Sequence, residues 1–380
     1  MFSIIPPGST IGVIGGGQLG RMFLLEARRM DYRTAVYTDE APGSPAAQFA
    51  DECWHAPYQE GAAMEEFAAA VDVVTYEFEN IPGAFVAALE ARKPVYPNRI
   101  ALETCQHRER EKLFLQSRGI PCAPFRVVAS GVELASGIAE LGLPCVLKTA
   151  AFGYDGKGQR KLEQTEDWNQ VWEEFGSDRA VLEGFVRFTK ELSVVAARDI
   201  YGTFYAFPVC ENEHRHHILN LTLMPARIST QIAEKAAALC QAVAEALNYV
   251  GTLCVELFLK EDGSLLVNEI APRPHNSGHL TIDACETSQF GQQVRAVCGL
   301  PLGRADLCPP AAAMINLLGD LWPAPEVMPD WSPVLMQPRA RLHLYGKASA
   351  RPGRKMGHFT VLGESQEEVI AEARRIQALL

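Results

Sequence analysis

Alternation of apolar and polar residues is cleanest at 254–260, where Val255, Leu257 and Leu259 share one face and Glu256, Phe258 and Lys260 the other. The pattern resumes beyond Asp262-Gly263, so two strands joined by a two-residue type I′ turn are expected. With Glu261 opposite Ser264 and Lys260 opposite Leu265, counting back along both strands sets Glu256 directly across from Glu269. Cross-strand Cβ atoms lie about 4.5–5.5 Å apart, and like charges there destabilise a sheet unless something neutralises them. Mg²⁺ suits such a pair, because it takes one or two carboxylates and completes its shell with water and phosphate oxygens. An exposed hairpin with two solvated acids is the alternative.

Elsewhere, short apolar runs at 10–14, 34–38, 71–76 and 93–96 alternate with helical spacing, beginning at 21–30. They predict a compact doubly wound α/β domain over residues 1–102. Its first turn, Gly15-Gly16-Gly17-Gln18-Leu19-Gly20, would bring backbone N–H groups to an anion at a helix N-terminus, and Asp39 stands where a ribose-binding acid would. That much suggests a dinucleotide site, although the motif alone is weak. Acids at 77 and 79 follow the strand at 71–76, at the end where open α/β sheets bind ligands.

A charged helix is expected over 103–118, with Arg108 and Lys112 four residues apart and favoured as solvated surface. The strand at 144–149 encloses Lys148, which needs a partner if buried. Gly153-Tyr154-Asp155-Gly156-Lys157-Gly158-Gln159 follows it, a loop with the flexible donors and second lysine that holding a triphosphate requires. The order of strand, lysine and loop is not the Walker pattern. Further strands are expected at 180–186 and from 190, then a helix over 228–247 leading into the hairpin. His214, His216 and His217 match no standard zinc spacing. After the hairpin, Arg273-Pro274-His275-Asn276-Ser277-Gly278-His279 is too polar for a packing role. Residues 301–338 read as a proline-rich linker with a short strand at 313–317. Domains are expected at 1–102, 103–300 (with a loop-bearing subdomain at about 120–190) and 301–380.

The formal net charge of −11 over 380 residues argues against nucleic acid or an anionic membrane as partner. The cluster Arg351-Pro352-Gly353-Arg354-Lys355 therefore stands out, as a phosphate-monoester pocket or a solvated turn. Ten cysteines without a Cys-x-x-Cys pair, no apolar run of spanning length and no secretory leader pattern imply free thiols in a cytoplasmic protein.

Taken together, Lys148, the 153–159 loop, Glu191 and the Glu256/Glu269 pair resemble the ATP-grasp fold. The runs at 15–22, 153–159, 269–279 and 351–358 resemble the N5-carboxyaminoimidazole ribonucleotide synthetase family over nearly the whole chain. The resemblance implies a Rossmann-like preATP-grasp domain, an ATP-grasp domain and a small C-terminal substrate-binding domain. It also implies an ATP-dependent carbon–nitrogen ligase of purine biosynthesis, making N5-carboxyaminoimidazole ribonucleotide from 5-aminoimidazole ribonucleotide and bicarbonate through carboxyphosphate. ATP would be held by Arg108, Lys148, the loop from Gly153 to Gln159, Glu183, Gly184, Phe185, Val186, Glu191, His214, Asn268 and Glu269, with Mg²⁺ on Glu256 and Glu269. Tyr154, Asp155, Arg273, His275 and Asn276 would surround bicarbonate and the acceptor amine, with Asp155, His275 or phosphate itself taking the amine proton. Lys347, Arg354 and Lys355 would bind the ribonucleotide phosphate, facing Glu77. The glycine turn, Gln18 and Leu19 with it, would line the substrate cleft in place of an NAD site. A homodimer is implied as well. Two points depart from the wider pattern. Ala271 stands where many ATP-grasp ligases have a second metal-ligating Asn, and Asn268 would point away from Glu269 on an ideal strand, so its metal role needs a bulge. Another ATP-grasp ligase, formate-dependent or biotin-carboxylase-like, is the nearest alternative; an NAD-dependent oxidoreductase and a non-catalytic ATP sensor are more distant ones.

Overall fold

The computed structural model of the chain describes residues 4–151 and 158–380. β1 (Thr10–Ile14), β2 (Arg33–Thr38), β3 (Glu52–His55) and β4 (Val73–Tyr76) form a parallel sheet in the order β3-β2-β1-β4. Helix α1 (Gln18–Arg29) connects β1 to β2 and α2 (Ala62–Ala70) connects β3 to β4, while α3 (Gly83–Glu90) follows β4. The expected strand at 93–96 is reduced to a single bridge between Val95 and Val74. Pro94 and Pro97 remove the N–H donors that a ladder needs.

The single helix expected over 103–118 is two, α4 (Arg99–Cys105) and α5 (Arg108–Ser117). Asn98 caps α4, its side chain accepting from the Ala101 N–H at 2.9 Å. At the break His107 is extended (φ −134°) and bridges Ala151, while the Arg108 N–H donates to the Ala150 carbonyl at 2.8 Å. Helical periodicity is continuous in the sequence here, and tertiary pairing interrupts it.

β5 (Phe125–Val128), β6 (Cys145–Thr149), β7 (Gln159–Leu162) and β8 (Ala180–Gly184) make a small antiparallel sheet ordered β5-β8-β6-β7. The third sheet holds β9 (Lys190–Arg198), β10 (Phe204–Ala206), β11 (Cys210–Arg215), β12 (Ile218–Met224), β13 (Gly251–Leu259), β14 (Leu265–Ala271), β15 (Ala311–Leu318), β16 (Ala340–Leu344) and β17 (Lys355–Gly363). Its order is β14-β13-β9-β11-β12-β15-β17-β16, with β10 on the side of β9. The short strand expected inside a linker is thus β15, an eight-residue strand paired on one side to β12 and on the other to β17. The large sheet runs without interruption across residue 300. Helix Thr230–Ala246 covers one face, with Ala236, Cys240, Val243 and Ala244 packed on a core that includes Val194, Leu253, Val255 and Val267. Each buried valine or leucine among these contributes about 1.5–3 kcal/mol.

The hairpin pairs Glu256 with Glu269 as expected, by a different route. Gly263 is left-handed (φ +77°) and closes a longer turn in which Lys260, not Glu261, pairs with Ser264. That puts Leu259 opposite Leu265, one residue out of the expected register. A bulge at Asn268 then shifts the ladder back between Leu257 and Glu256. The bulge also removes the objection that strand alternation turns Asn268 away from its neighbour's face.

Candidate active site

Glu256 and Glu269 face each other at the bulge, Glu269 exposed to the cleft and Glu256 partly shielded. Burial and the Glu269 charge beside it push the Glu256 carboxyl up to about 7. Two facing carboxylates with uncompensated charge have the donor chemistry of a hard divalent cation site. Among the described residues no cluster of three or more candidate ligands occurs.

Lys148 on β6 reaches across to β8, where its Nζ donates to Glu183 at 2.9 Å. Glu183 also lies 3.5 Å from Lys112 Nζ, and both Glu183 and Lys112 are almost wholly buried. Burial would raise the Glu183 carboxyl, but Lys112 and Lys148 hold it down at about 2. The surface reading of Lys112 is therefore corrected: α5 turns this position inward to serve Glu183. Arg108 begins the same helix and donates to the Thr149 carbonyl at 3.2 Å, at the base of the glycine-rich loop. Of that loop, Gly153, Tyr154, Asp155, Gly156 and Lys157 lie outside the described residues. Gly158 adopts φ +68°, and Gln159 pairs with Lys148 in the sheet. Gly184, Phe185 and Val186 continue from β8, Phe185 exposed with Lys161 over its ring at 4.6 Å. Glu191 accepts or shares a proton with His214 Nδ1 at 2.8 Å. His216 and His217 form the exposed, positive-φ turn between β11 and β12.

His275 stands between this cluster and the polar run. The Ser277 backbone N–H donates to its Nδ1 at 3.3 Å, so Nδ1 accepts and the proton sits on Nε2, 3.3 Å from Glu256. Burial, with Arg273 and Lys355 nearby, pushes this imidazole well below its usual range and keeps it neutral. Ser277 Oγ continues to Ser193 Oγ at 2.8 Å, which accepts from Asn212 at 2.9 Å. Arg273 pairs with both oxygens of Glu79, an acid the sequence placed at the ligand crevice without assigning it a partner. Asn276 is buried with both amide atoms unpartnered among the described residues.

The N-terminal turn faces this region through Glu77. Its carboxylate accepts from the Gly17 N–H and, at 2.8 Å, from the Gly20 N–H. A Cβ on Gly17 would sit 2.5 Å from that carboxylate. The donors that would hold a pyrophosphate in a dinucleotide site are thus already taken by a side chain. Burial pushes the Glu77 carboxyl up, and the Gly20 and Gly17 N–H groups offset part of that. Gln18 opens α1, whereas the Leu19 side chain is buried in the core, leaving only its backbone for the cleft. From the opposite side, Lys347 Nζ donates to the Lys355 carbonyl at 2.6 Å and Arg354 donates to the Ser349 carbonyl at 2.6 Å. Burial and the Arg354 charge push Lys347 down to about 8, and the Arg354 guanidinium is lowered by burial and Arg351. The Lys355 charge bears on Glu256 and His275. Cations crowded in this way, with the Glu77 carboxylate as a counter-charge for Lys347, have the chemistry of a phosphate-monoester pocket.

All ten cysteines are free thiols, and no described helix is long and apolar enough to cross a membrane. Residues 9–106 match the ribonucleotide synthetase preATP-grasp domain, 113–290 the ATP-grasp domain, and 312–372 the phosphoribosylaminoimidazole carboxylase C-terminal domain. The N5-carboxyaminoimidazole ribonucleotide synthase of Bacillus subtilis is 45% identical over 97% of this chain and 95% of its own length. That of Brucella melitensis is 46% identical over 94% and 97%. A crystal structure of the ADP complex of an N5-carboxyaminoimidazole ribonucleotide synthetase superposes with TM-score 0.92 at 42% identity, covering 100% of this chain and 99% of the other. The Aspergillus clavatus synthase in complex with ADP and 5-aminoimidazole ribonucleotide gives TM-score 0.88 at 30% identity over 98% of each chain. With the three domains matched in order and relatives this similar along the full length, the chain belongs to the N5-carboxyaminoimidazole ribonucleotide synthase family of ATP-grasp ligases.

Proposed function

We propose that this chain joins bicarbonate to the amine of 5-aminoimidazole ribonucleotide at the expense of ATP, giving N5-carboxyaminoimidazole ribonucleotide, ADP and phosphate by way of carboxyphosphate. The observation that carries the reading is the meeting of three charge systems: the Lys148–Glu183 cradle, the Glu256/Glu269 pair, and the cations Lys347, Arg354 and Lys355 opposite Glu77. ATP is held by Lys148, Arg108 and the 153–159 loop, with Gly184, Phe185, Val186, Glu191 and His214 serving the nucleoside. Glu256 and Glu269, with Asn268 at the bulge, hold Mg²⁺, which neutralises charge on the phosphates when bound. Bicarbonate is a poor nucleophile for a charged phosphate, so Arg273 and Asn276 serve by gathering and orienting the anion. Tyr154 and Asp155, outside the described residues, serve bicarbonate and the acceptor amine in a site that has to exclude water, since carboxyphosphate hydrolyses.

The His275 hydrogen bonds bear on the amine proton. Its basic nitrogen accepts from Ser277 and its protonated nitrogen faces Glu256, which favours Asp155 or the released phosphate over His275 as acceptor. The functional divisions follow 1–102, 103–300 and 301–380, and the enzyme works as a cytoplasmic homodimer.

ADP release with MgATP and bicarbonate tests the function. It is expected to rise strongly on adding 5-aminoimidazole ribonucleotide, with an acid-labile carboxylated product. Stimulation by glycinamide ribonucleotide and formate instead would move the chain to another ATP-grasp activity. A pH profile checks the phosphate pocket. A lysine near 8 in the free enzyme is charged below that value and loses its charge above it. Thus kcat/KM for the ribonucleotide should fall about tenfold per pH unit above 8 while kcat holds, and Lys347→Met should abolish that limb. An unchanged limb in the variant removes Lys347 from the pocket.

A further inference from the structure

At the Asn268 bulge the strand ladder is interrupted, so backbone groups on both sides of Glu269 need other partners. Both find them on α5. Glu111 accepts from the Ile270 N–H at 2.9 Å, and Lys112 Nζ donates to the Asn268 carbonyl at 3.0 Å. The two side chains are adjacent in sequence and almost fully buried, at 2% and 1% exposure, and neither reaches the cleft. Lys112 also lies 3.5 Å from Glu183, the partner of Lys148, so one ammonium touches both the nucleotide cradle of the small sheet and the metal-bearing strand of the large one. A solvated helix face would not bury a neighbouring acid and base in this way. Adjacent residues on a helix point about 100° apart, which lets them grip a strand at two points two residues apart.

We infer that Glu111 and Lys112 are positioning residues, a two-point clamp that holds the bulge so that Glu269 faces Glu256 at the spacing a divalent cation requires, and that Lys112 ties this spacing to the seat of Lys148. The inference rests on the assignment of Glu256 and Glu269 as the metal pair. It predicts that reach, not charge, is what matters at position 111. Glu111→Gln keeps an oxygen where Ile270 needs it. Glu111→Asp keeps the carboxyl group and withdraws the oxygen.

The test is Mn²⁺ binding to the full chain with saturating ADP, read by the loss of the free-ion electron paramagnetic resonance signal. The thermal midpoint of each ligand-free variant serves as the folding control. Glu111→Asp and Lys112→Met should weaken Mn²⁺ binding at least tenfold, and Glu111→Gln no more than threefold. Wild-type affinity in Glu111→Asp, or equal weakening in the Asp and Gln variants, overturns the clamp. If Lys112→Met does not fold, the Asp and Gln pair decides alone. Glu269→Gln in the same assay separates the two layers: if it binds Mn²⁺ as the wild type does, the metal assignment falls and the clamp with it. If it loses Mn²⁺ while Glu111→Asp does not, only the clamp falls.

Discussion

Glu269→Gln is expected to lose turnover by a hundredfold or more while its thermal midpoint stays level or rises. The asymmetry follows from the cross-strand pairing. Without a cation, Glu269 sits opposite Glu256 and the two charges repel. Neutralising one relieves that repulsion, and the exposed position of Glu269 means no buried partner is orphaned. On the proposed metal assignment the same change removes one of two carboxylate charges from a site whose cation would stabilise developing phosphate charge. Even about 3 kcal/mol of that stabilisation is a factor of more than a hundred in rate. ADP formation at saturating substrate and a melting curve, taken together, check it. Normal ATP turnover would remove the metal assignment.

The second large effect is on stability. Glu183→Gln leaves Lys112 and Lys148 without their shared counter-ion, one of them wholly buried. Breaking a buried pair from one side costs about 3–5 kcal/mol. A carboxyl held at about 2 against an ordinary value of 4.5 gives a consistent figure of roughly 3 kcal/mol. The sign is that of a depressed acid: the contribution is complete above about pH 4.5 and disappears as the pH falls toward 2. Urea midpoints of the two proteins should therefore be far apart at pH 7 and converge below pH 3. A gap that persists there would mean the loss came from packing and not from the ion pair.

Much of the site could be read from the chain because its chemistry is local. The lysine inside an apolar strand did require a buried acid, and the alternating pattern around Asp262-Gly263 did bring two glutamates together. The hairpin also shows the limit. Its expected register was off by one at the turn, since the left-handed Gly263 sits in a longer loop than Asp-Gly suggested, and the Asn268 bulge restored the pairing. Neither compensation has a local signature. Lys112 and Glu111 were obscured for a related reason. Charged residues four apart on a helix look solvated unless the strand they satisfy, some 156 residues later, is known. The Arg273–Glu79 pair spans 194 residues and was equally invisible. Glu77 was legible only as an acid at a sheet end; that it caps α1 depends on how the strand exit meets the glycine turn.

The unbroken large sheet bears on how specificity in such ligases could be re-engineered. Exchanging the segment beyond residue 300 between related chains looks like a way to trade acceptors, but β15 is an interior strand. Removing it would leave Leu221 and Leu223 of β12 on an open edge, an invitation to intermolecular pairing. A viable chimera must reproduce the pairings Leu221↔Ile315 and Leu223↔Ala313 together with the core beneath them. Its junctions belong in loops that leave this seam intact.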